Sequence, residues 1–192
     1  RYYYASKLTA SLDDIDFSID DFTHKINSDV LGKVINIGSR LLALLKKSDH
    51  LKIALDKNKD ASLLTIVREK ADEVANYYDA IEYRKAMQVI MRCADDINSY
   101  IHDNAPWQLL KEDKVAGIHV CSVGLNAFRY LLIYLKPVIP KLVRECEEIL
   151  NCSPLLWSDL ELILDQHPVN SYSHVASRLT KDQCAVLIAT DT

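Results

Sequence analysis

The 192-residue sequence has a formal net charge of −4 and contains only 4 glycines and 5 prolines. This balance excludes a protein that attracts nucleic acid through a basic field over its whole surface, so any RNA contact must come from a local patch. The length suffices for one buried core, and the scarcity of helix-breaking residues predicts a single all-α domain, a helical bundle, over residues 1–192.

The chain opens on an aromatic run, Arg1-Tyr2-Tyr3-Tyr4, without an initiator methionine. A first helix is predicted from Tyr2 to about Leu12, and the acidic loop Asp13-Asp14-Ile15-Asp16 follows it. Because the sequence is already helix-like at its first residues, we expect the chain to be a fragment of a longer one.

The second predicted helix is the longest amphipathic segment. It begins near Ser18 or Asp20, where acidic residues in the first turn suit the helix dipole. Its apolar residues recur three or four positions apart: Phe22, Ile26, Val30, Val34, Ile37, Leu41 and Leu45. This spacing predicts a core-facing stripe on one helix that ends near Lys46-Lys47.

Loops and prolines separate the later helices. After a loop at 57–60, helices are predicted at 61–78, 81–103, 114–134 and 137–151. The apolar residues that the second of these turns inward are Ile81, Met87, Ile90, Met91, Ala94, Ile97 and Ile101. Pro106 ends that helix because proline disfavours helical geometry for the residue before it, and Pro137 is placed in the first turn of the last. A short turn around 157–164, a loop at Pro168 and a helix from about Thr180 follow.

The sequence contains no recognisable catalytic or metal-binding constellation. The 5 cysteines form no C-x-x-C pair, which argues against a disulfide framework or a zinc site and for a reducing cytosol. The 6 histidines include no H-x-x-x-H pair, and adjacent carboxylates such as Asp95-Asp96 diverge by about 100° on a helix. There is no glycine-rich phosphate loop. We therefore expect this chain itself to catalyse nothing.

A membrane segment is not predicted either. No signal peptide is visible, and the longest apolar run, around Phe128 to Leu135, is too short to span a bilayer. The expected location is cytoplasmic, with no membrane partner and no DNA partner.

One face of the second helix carries polar side chains. At about 100° per residue, these four share a narrow face away from the apolar stripe: Lys33, Asn36, Arg40 and Lys47. Such a face is either a solvated surface or a binding surface. Gly38 favours the second interpretation, because a glycine inside a helix costs about 1 kcal/mol against alanine and allows a close approach to the backbone.

Two tryptophans receive different interpretations. Trp107 follows Pro106 at the end of a helix, where it either caps the helix or displays a rigid indole that can stack on an unpaired base. Trp157 lies among leucines and is predicted to be in the core.

Several segments, in order, resemble the C-terminal anticodon-binding domain of bacterial methionyl-tRNA synthetase, a class I aminoacyl-tRNA synthetase. The segments that carry this resemblance are Arg1-Tyr2-Tyr3-Tyr4, residues 26–40 with Asn36-Ile37-Gly38-Ser39-Arg40, Asn104-Ala105-Pro106-Trp107, residues 134–140, and Val169-Asn170 to Arg178-Leu179. They extend over nearly the whole chain.

The resemblance implies binding of the CAU anticodon of methionine tRNA. Trp107 would stack on the first anticodon base, Asn36 and Arg40 would hydrogen-bond base edges, and Arg178 would add a further basic contact. One position departs from the family, since relatives can carry an acidic residue where this chain has His102. From their charge, Lys33 and Lys47 are expected to contact phosphates.

The resemblance also implies what lies outside these residues. The family's catalytic domain, with its HIGH and KMSKS signatures and a zinc-bearing insertion, is expected in the parent protein, where it would use ATP and act as this domain's partner. No cofactor is expected in the fragment itself. Two alternatives are the equivalent domain of a valine, isoleucine or leucine synthetase, and a helical protein-interaction scaffold without an RNA ligand.

Overall fold

The computed structural model describes residues 1–10, 16–171, 175–180 and 182–183. Within these residues the elements are α1 (Tyr2–Ala5), α2 (Ile19–Lys25), a π-helix (Ile26–Ile35), α3 (Asn36–Lys47), β1 (Lys52–Ile53), α4 (Ser62–Arg68), α5 (Ala71–Asp79), α6 (Tyr83–Asn104), α7 (Pro106–Glu112), α8 (Lys114–Leu135), α9 (Pro140–Ile149), a 3₁₀ helix (Trp157–Glu161) and β2 (His167–Pro168). β1 and β2 pair as a two-residue antiparallel ladder. The predicted all-α class is confirmed.

α8 is the central helix of the domain. It packs against α3, α4, α6, α7 and α9, and every residue from 116 to 135 is buried. Its length and its mean hydropathy of 1.4 would allow it to cross a membrane, but its apolar window is wholly covered by the other elements. α8 is therefore the core helix around which the others assemble.

A row of buried polar side chains on α8 fixes the surrounding loops. Ser122 accepts a hydrogen bond from the Ala54 backbone N–H (2.9 Å). His119 accepts one from the Asp56 N–H at Nδ1 (3.1 Å), so its Nε2 carries the proton and donates to the Asp60 carbonyl (2.9 Å). The row continues at helical spacing along one face: His119, Ser122, Asn126 and Arg129.

The second half of this row holds the segment around the 3₁₀ helix. Asn126 exchanges two hydrogen bonds with the backbone of Leu164, at 2.8 and 2.9 Å. The guanidinium of Arg129 donates to the carbonyls of Asp159 and Leu162. The loop backbone thereby finds partners inside an otherwise apolar helix surface, as buried polar groups require.

The predicted long helix is present, but it consists of three consecutive segments: α2, the π-helix and α3. Ser18 caps α2 as expected, since its hydroxyl accepts a hydrogen bond from the Asp21 N–H. The N–H of Asn36 bonds the carbonyl of Leu31, five residues earlier, which is the π-helical pattern. The apolar residues of the π-helix are spaced by four, and this suits a turn wider than that of an α-helix.

Gly38 lies where α3 meets α8. A Cβ atom at this position would be 2.6 Å from Cε1 of Phe128, so any side chain here would have to displace the phenylalanine ring. The close approach that the sequence predicts at Gly38 is therefore made by a core phenylalanine and serves packing.

Several predicted boundaries were wrong. α1 ends at Ala5 rather than near Leu12. The predicted helix 61–78 is two helices, because the Tyr134 hydroxyl donates to the Val67 carbonyl at the end of α4 (2.9 Å) and the chain then turns to pack α5 on α6. α9 begins at Pro140 rather than Pro137. Asp13, Asp14 and Ile15 of the predicted acidic loop lie outside the described residues, as does most of the helix predicted from residue 180.

Two predicted core residues are on the surface. Ile81 is 58% exposed and has φ of 61°, because it makes the left-handed reversal between α5 and α6. Trp157 is 37% exposed and packs on Tyr134, with 5.5 Å between the ring centroids. Both lie where tertiary geometry turns the chain outward.

Candidate nucleic-acid interface

The centre of the candidate site is a pair of side chains from α3 and α7. The guanidinium carbon of Arg40 lies 5.8 Å from the centroid of the Trp107 ring. Arg40 is exposed and Trp107 is half-buried against the core. A cation above an indole is attracted by the ring quadrupole, by about 0.5–1 kcal/mol at an exposed site. The pair therefore presents an aromatic surface and hydrogen-bond donors side by side.

The backbone reversal between α6 and α7 positions Trp107. α6 ends at Asn104, Ala105 has φ of 39°, and Pro106 occupies the first turn of α7. Pro106 thus ends α6 as predicted. Trp107, however, lies in the first turn of a new helix rather than at the C-terminal end of the old one. The sequence did not predict α7, whose 7 residues are too few for a clear periodicity.

Gly117 brings α7 close to α8. A Cβ atom at this position would lie 2.7 Å from the backbone nitrogen of Leu110 and 2.9 Å from its Cα. Backbone atoms cannot rotate away as a side chain can, so only glycine permits this packing. Gly117 is therefore a positioning residue for the helix that carries Trp107.

We expect Gly117→Ala to lower the free energy of unfolding by about 1–2 kcal/mol, because overpacking outweighs the gain in helix propensity. The displaced α7 should also change the fluorescence of Trp107, measured with Trp157 replaced by phenylalanine. Gly124→Ala is the control, since a Cβ there meets the flexible end of Leu41. Equal melting temperatures and spectra for both variants would contradict the assigned role of Gly117.

Asn36 and Arg178 lie together on the other side of the site. Asn36 is the first residue of α3, one turn before Arg40. Asn36 and Arg178 line one open groove of about 340 Å³. Arg178 is placed there because Asn27 exchanges two hydrogen bonds, each 2.9 Å, with the backbone of Leu179. The structure thus brings a late segment of the chain to the helix that carries Asn36 and Arg40.

The two candidate phosphate contacts, Lys33 and Lys47, lie further from the Arg40–Trp107 pair along the helix. Lys33 forms an ion pair with Asp95 of α6, with 2.7 Å between Nζ and the carboxylate. Because residues 26–35 are π-helical, the 100° spacing does not apply to Lys33, and its side chain turns toward α6. Lys47 is exposed in the last turn of α3, nearly two turns beyond Arg40. Their phosphate contacts stay predictions.

Gly117 and Asn27 are positioning residues that the sequence did not single out. The sequence contained a signal for Gly117, because Gly117 is a glycine inside a predicted helix, as Gly38 is. None was available for Asn27, whose partner is far along the chain. His102, the position at which the resemblance departs, is exposed in the last turn of α6.

The buried thiols have the character of small apolar side chains. Burial raises the pKa of Cys93 to about 11 and the pKa values of Cys121 and Cys146 to about 12. These thiols are therefore protonated at neutral pH and poor nucleophiles. In the part of the chain that the structure describes, no group of three His, Cys, Asp or Glu side chains is arranged to hold a metal ion.

Comparison with known proteins agrees with this geometry. Residues 54–180 match the family model of the anticodon binding domain of methionyl tRNA ligase. The chain is 42% identical over 181 residues to a methionine–tRNA ligase of Thiobacillus denitrificans and 44% identical over 183 residues to one of Herminiimonas arsenicoxydans. Each alignment covers 93% of this chain and 26% of the relative. The chain therefore spans about a quarter of the length of these proteins.

A solved structure shows the same fold. Methionyl-tRNA synthetase of Mycobacterium tuberculosis, in its apo form, superposes with a TM-score of 0.80 at 20% identity, over 85% of this chain and 35% of that one. The matched family model extends over most of the helices described above and includes α6, Trp107 and Arg178. The chain belongs to the family of anticodon-binding domains of methionyl tRNA ligase.

Proposed function

We propose that this chain binds the CAU anticodon of methionine tRNA as the recognition domain of a cytoplasmic methionine–tRNA ligase. The parent enzyme would attach methionine to the tRNA in protein synthesis, using ATP in a separate catalytic domain that also holds zinc. The observation that carries the proposal is the Arg40–Trp107 pair, with Asn36 one helical turn away.

Each of these side chains suits one part of base recognition. An indole fixed in the first turn of a helix loses little freedom when an unpaired base stacks on it. The amide of Asn36 both donates and accepts hydrogen bonds, and the guanidinium of Arg40 offers several donors. Together they match the stacking surface and the polar edges of a base in a single-stranded loop.

The charge distribution is compatible with a local RNA contact. The net charge of −4 provides no long-range attraction. Arg40 and Arg178, however, are both exposed beside Asn36. Binding therefore depends on these arginines and on the shape of the loop rather than on the overall field.

The alternatives differ in what they would bind. The family match argues against the equivalent domain of a valine, isoleucine or leucine synthetase. A scaffold that binds only protein would suit the acidic net charge, but this alternative assigns no ligand to the Arg40–Trp107 pair. Binding to a CAU stem-loop, compared with one that carries GAC, separates the three readings.

We expect Asn36→Ala and Arg40→Ala to reduce discrimination between the CAU loop and single-base variants by about 1–3 kcal/mol each, because each removes a contact to a base edge. Lys47→Ala should weaken all loops equally and lower the salt dependence of binding. Lys33→Ala should do the same to a smaller extent, since Asp95 already holds this ammonium group. The measurement is fluorescence anisotropy with labelled stem-loops at several salt concentrations.

The pattern of losses decides the assignment. If Asn36→Ala and Arg40→Ala weaken cognate and non-cognate loops to the same extent, these residues do not read bases. If no stem-loop binds the folded chain, the scaffold reading replaces the proposal.

A further inference from the structure

A second polar groove lies between the π-helix and α6, on the side of α1. Its volume is about 670 Å³. Four cationic side chains and two carboxylates line it: Lys7, Lys25, Arg84, Arg92, Asp29 and Asp95. The proposed stacking and base-edge contacts of Trp107, Asn36 and Arg40 do not involve this groove.

The groove is connected to the candidate anticodon site through one ion pair. Asp95 lines the groove and also binds Lys33. Lys33 in turn lies about one turn before Asn36, since the π-helix continues directly into α3. The groove therefore lies one ion pair and one helical turn from Asn36.

Its floor is an extended face of α6. Arg84, Gln88 and Arg92 are spaced by four and share this face with Asp95. At 1.5 Å per residue, Arg84 and Asp95, the two ends of this lining, are about 17 Å apart along the helix. A row of polar groups of this length suits an extended polyanion better than a compact small molecule.

The carboxylates in the groove are already neutralised within the protein. Asp29 accepts a hydrogen bond from the Tyr2 hydroxyl (3.0 Å) and lies 3.5 Å from the ammonium group of Lys25. Asp95 is paired with Lys33. The bound carboxylates therefore do not repel a second anion as free ones would.

Two arginines remain available for a ligand. Arg84 is exposed and forms no ion pair with any residue that the structure describes. The side chain of Arg92 is 68% exposed, and its nearest carboxylate, that of Glu73, is 3.9 Å away. Arginine binds phosphate oxygens in a bidentate manner, and exposed pairs this loose contribute little.

We propose that this groove binds the phosphate backbone of the RNA stem that carries the anticodon loop, with Arg84 and Arg92 as phosphate contacts. The inference rests on the proposed function and extends it from the loop to the stem. Phosphate contacts do not distinguish base sequences, so the groove adds affinity and orientation while Asn36, Arg40 and Trp107 supply specificity.

The test uses two RNA hairpins with the same CAU loop, one with a short stem and one with the stem extended by a full helical turn. The variant R84Q/R92Q is compared with K57Q/K59Q, which removes the same charge from the exposed loop after β1, outside the groove. Binding is measured by anisotropy over a range of salt concentrations, and thermal melting checks that both variants are folded.

Wild-type protein should bind the long-stem hairpin more tightly. R84Q/R92Q should lose about tenfold in affinity for this hairpin, and the slope of log affinity against log salt should fall by about 2, one for each lost contact. The same variant should bind the short-stem hairpin as wild type does, and K57Q/K59Q should bind both normally.

Wild-type affinity of R84Q/R92Q for the long-stem hairpin would overturn the inference. If Trp107→Ala still weakened both hairpins in that case, the anticodon proposal would stand, and an acidic protein segment would replace RNA as the expected occupant of the groove. Failure of wild-type protein to bind either hairpin would instead overturn the proposed function together with this inference.

Discussion

Replacing Trp107 by alanine is expected to weaken binding of the CAU stem-loop by about 1–3 kcal/mol while the domain remains folded. The indole supplies the stacking surface, and its loss also leaves Arg40 without the ring beneath it. Trp107 is only half-buried, so truncation removes few core contacts. Anisotropy titration gives the binding loss, and circular dichroism gives the fraction folded.

Two further variants make the result specific to stacking. Trp107→Phe should retain part of the affinity, because a smaller ring still stacks. Trp157→Ala removes the other indole, which packs on Tyr134 away from the site, and should leave binding by the folded protein unchanged. If Trp107→Ala loses binding only in proportion to unfolding, the residue is a helix cap rather than a base contact.

Replacing Arg129 by methionine should lower the free energy of unfolding by about 1–3 kcal/mol. Methionine keeps much of the stem packing but leaves the Leu162 carbonyl without its donor, while the Asp159 carbonyl keeps only the Leu162 N–H (3.0 Å). An unsatisfied buried acceptor costs about 1–3 kcal/mol. Arg129 is 1% exposed, so the donors that it supplies are shielded from water. Urea denaturation followed by circular dichroism measures the loss.

Arg68→Met is the matched control for this prediction. Arg68 contacts the same 3₁₀ helix through Glu161, at 2.7 Å, but this ion pair is exposed. Removing it should change stability by less than about 1 kcal/mol. Comparable losses for the two variants would show that Arg129 does not hold the segment in place.

Local signals in the sequence were sufficient for the helical class and for most helix positions. Ser18 caps α2 and Pro106 ends α6, because capping and proline geometry depend on residues only a few positions away. The apolar stripe from Val30 to Leu45 was predicted for a similar reason, since residues three or four apart share one face of a helix whatever they pack against.

The proximity of the predicted site residues could be predicted from the sequence only in part. Asn36 and Arg40 are one turn apart on any helix, so their proximity follows from spacing alone. The approach of Trp107 to Arg40 depends on how closely α7 packs on α8 at Gly117. The position of Arg178 beside Asn36 depends on hydrogen bonds between segments distant in the chain.

The sequence by itself determined the helical class and the apolar faces of the long helices, because those properties repeat over a few residues. Only the tertiary structure decided that the polar groups of α8 bind two loops, that Trp157 is on the surface and that a polar groove lies between the π-helix and α6. These features are contacts between distant segments. Every residue has a backbone carbonyl, so the local sequence does not show which carbonyl accepts a hydrogen bond from a distant side chain.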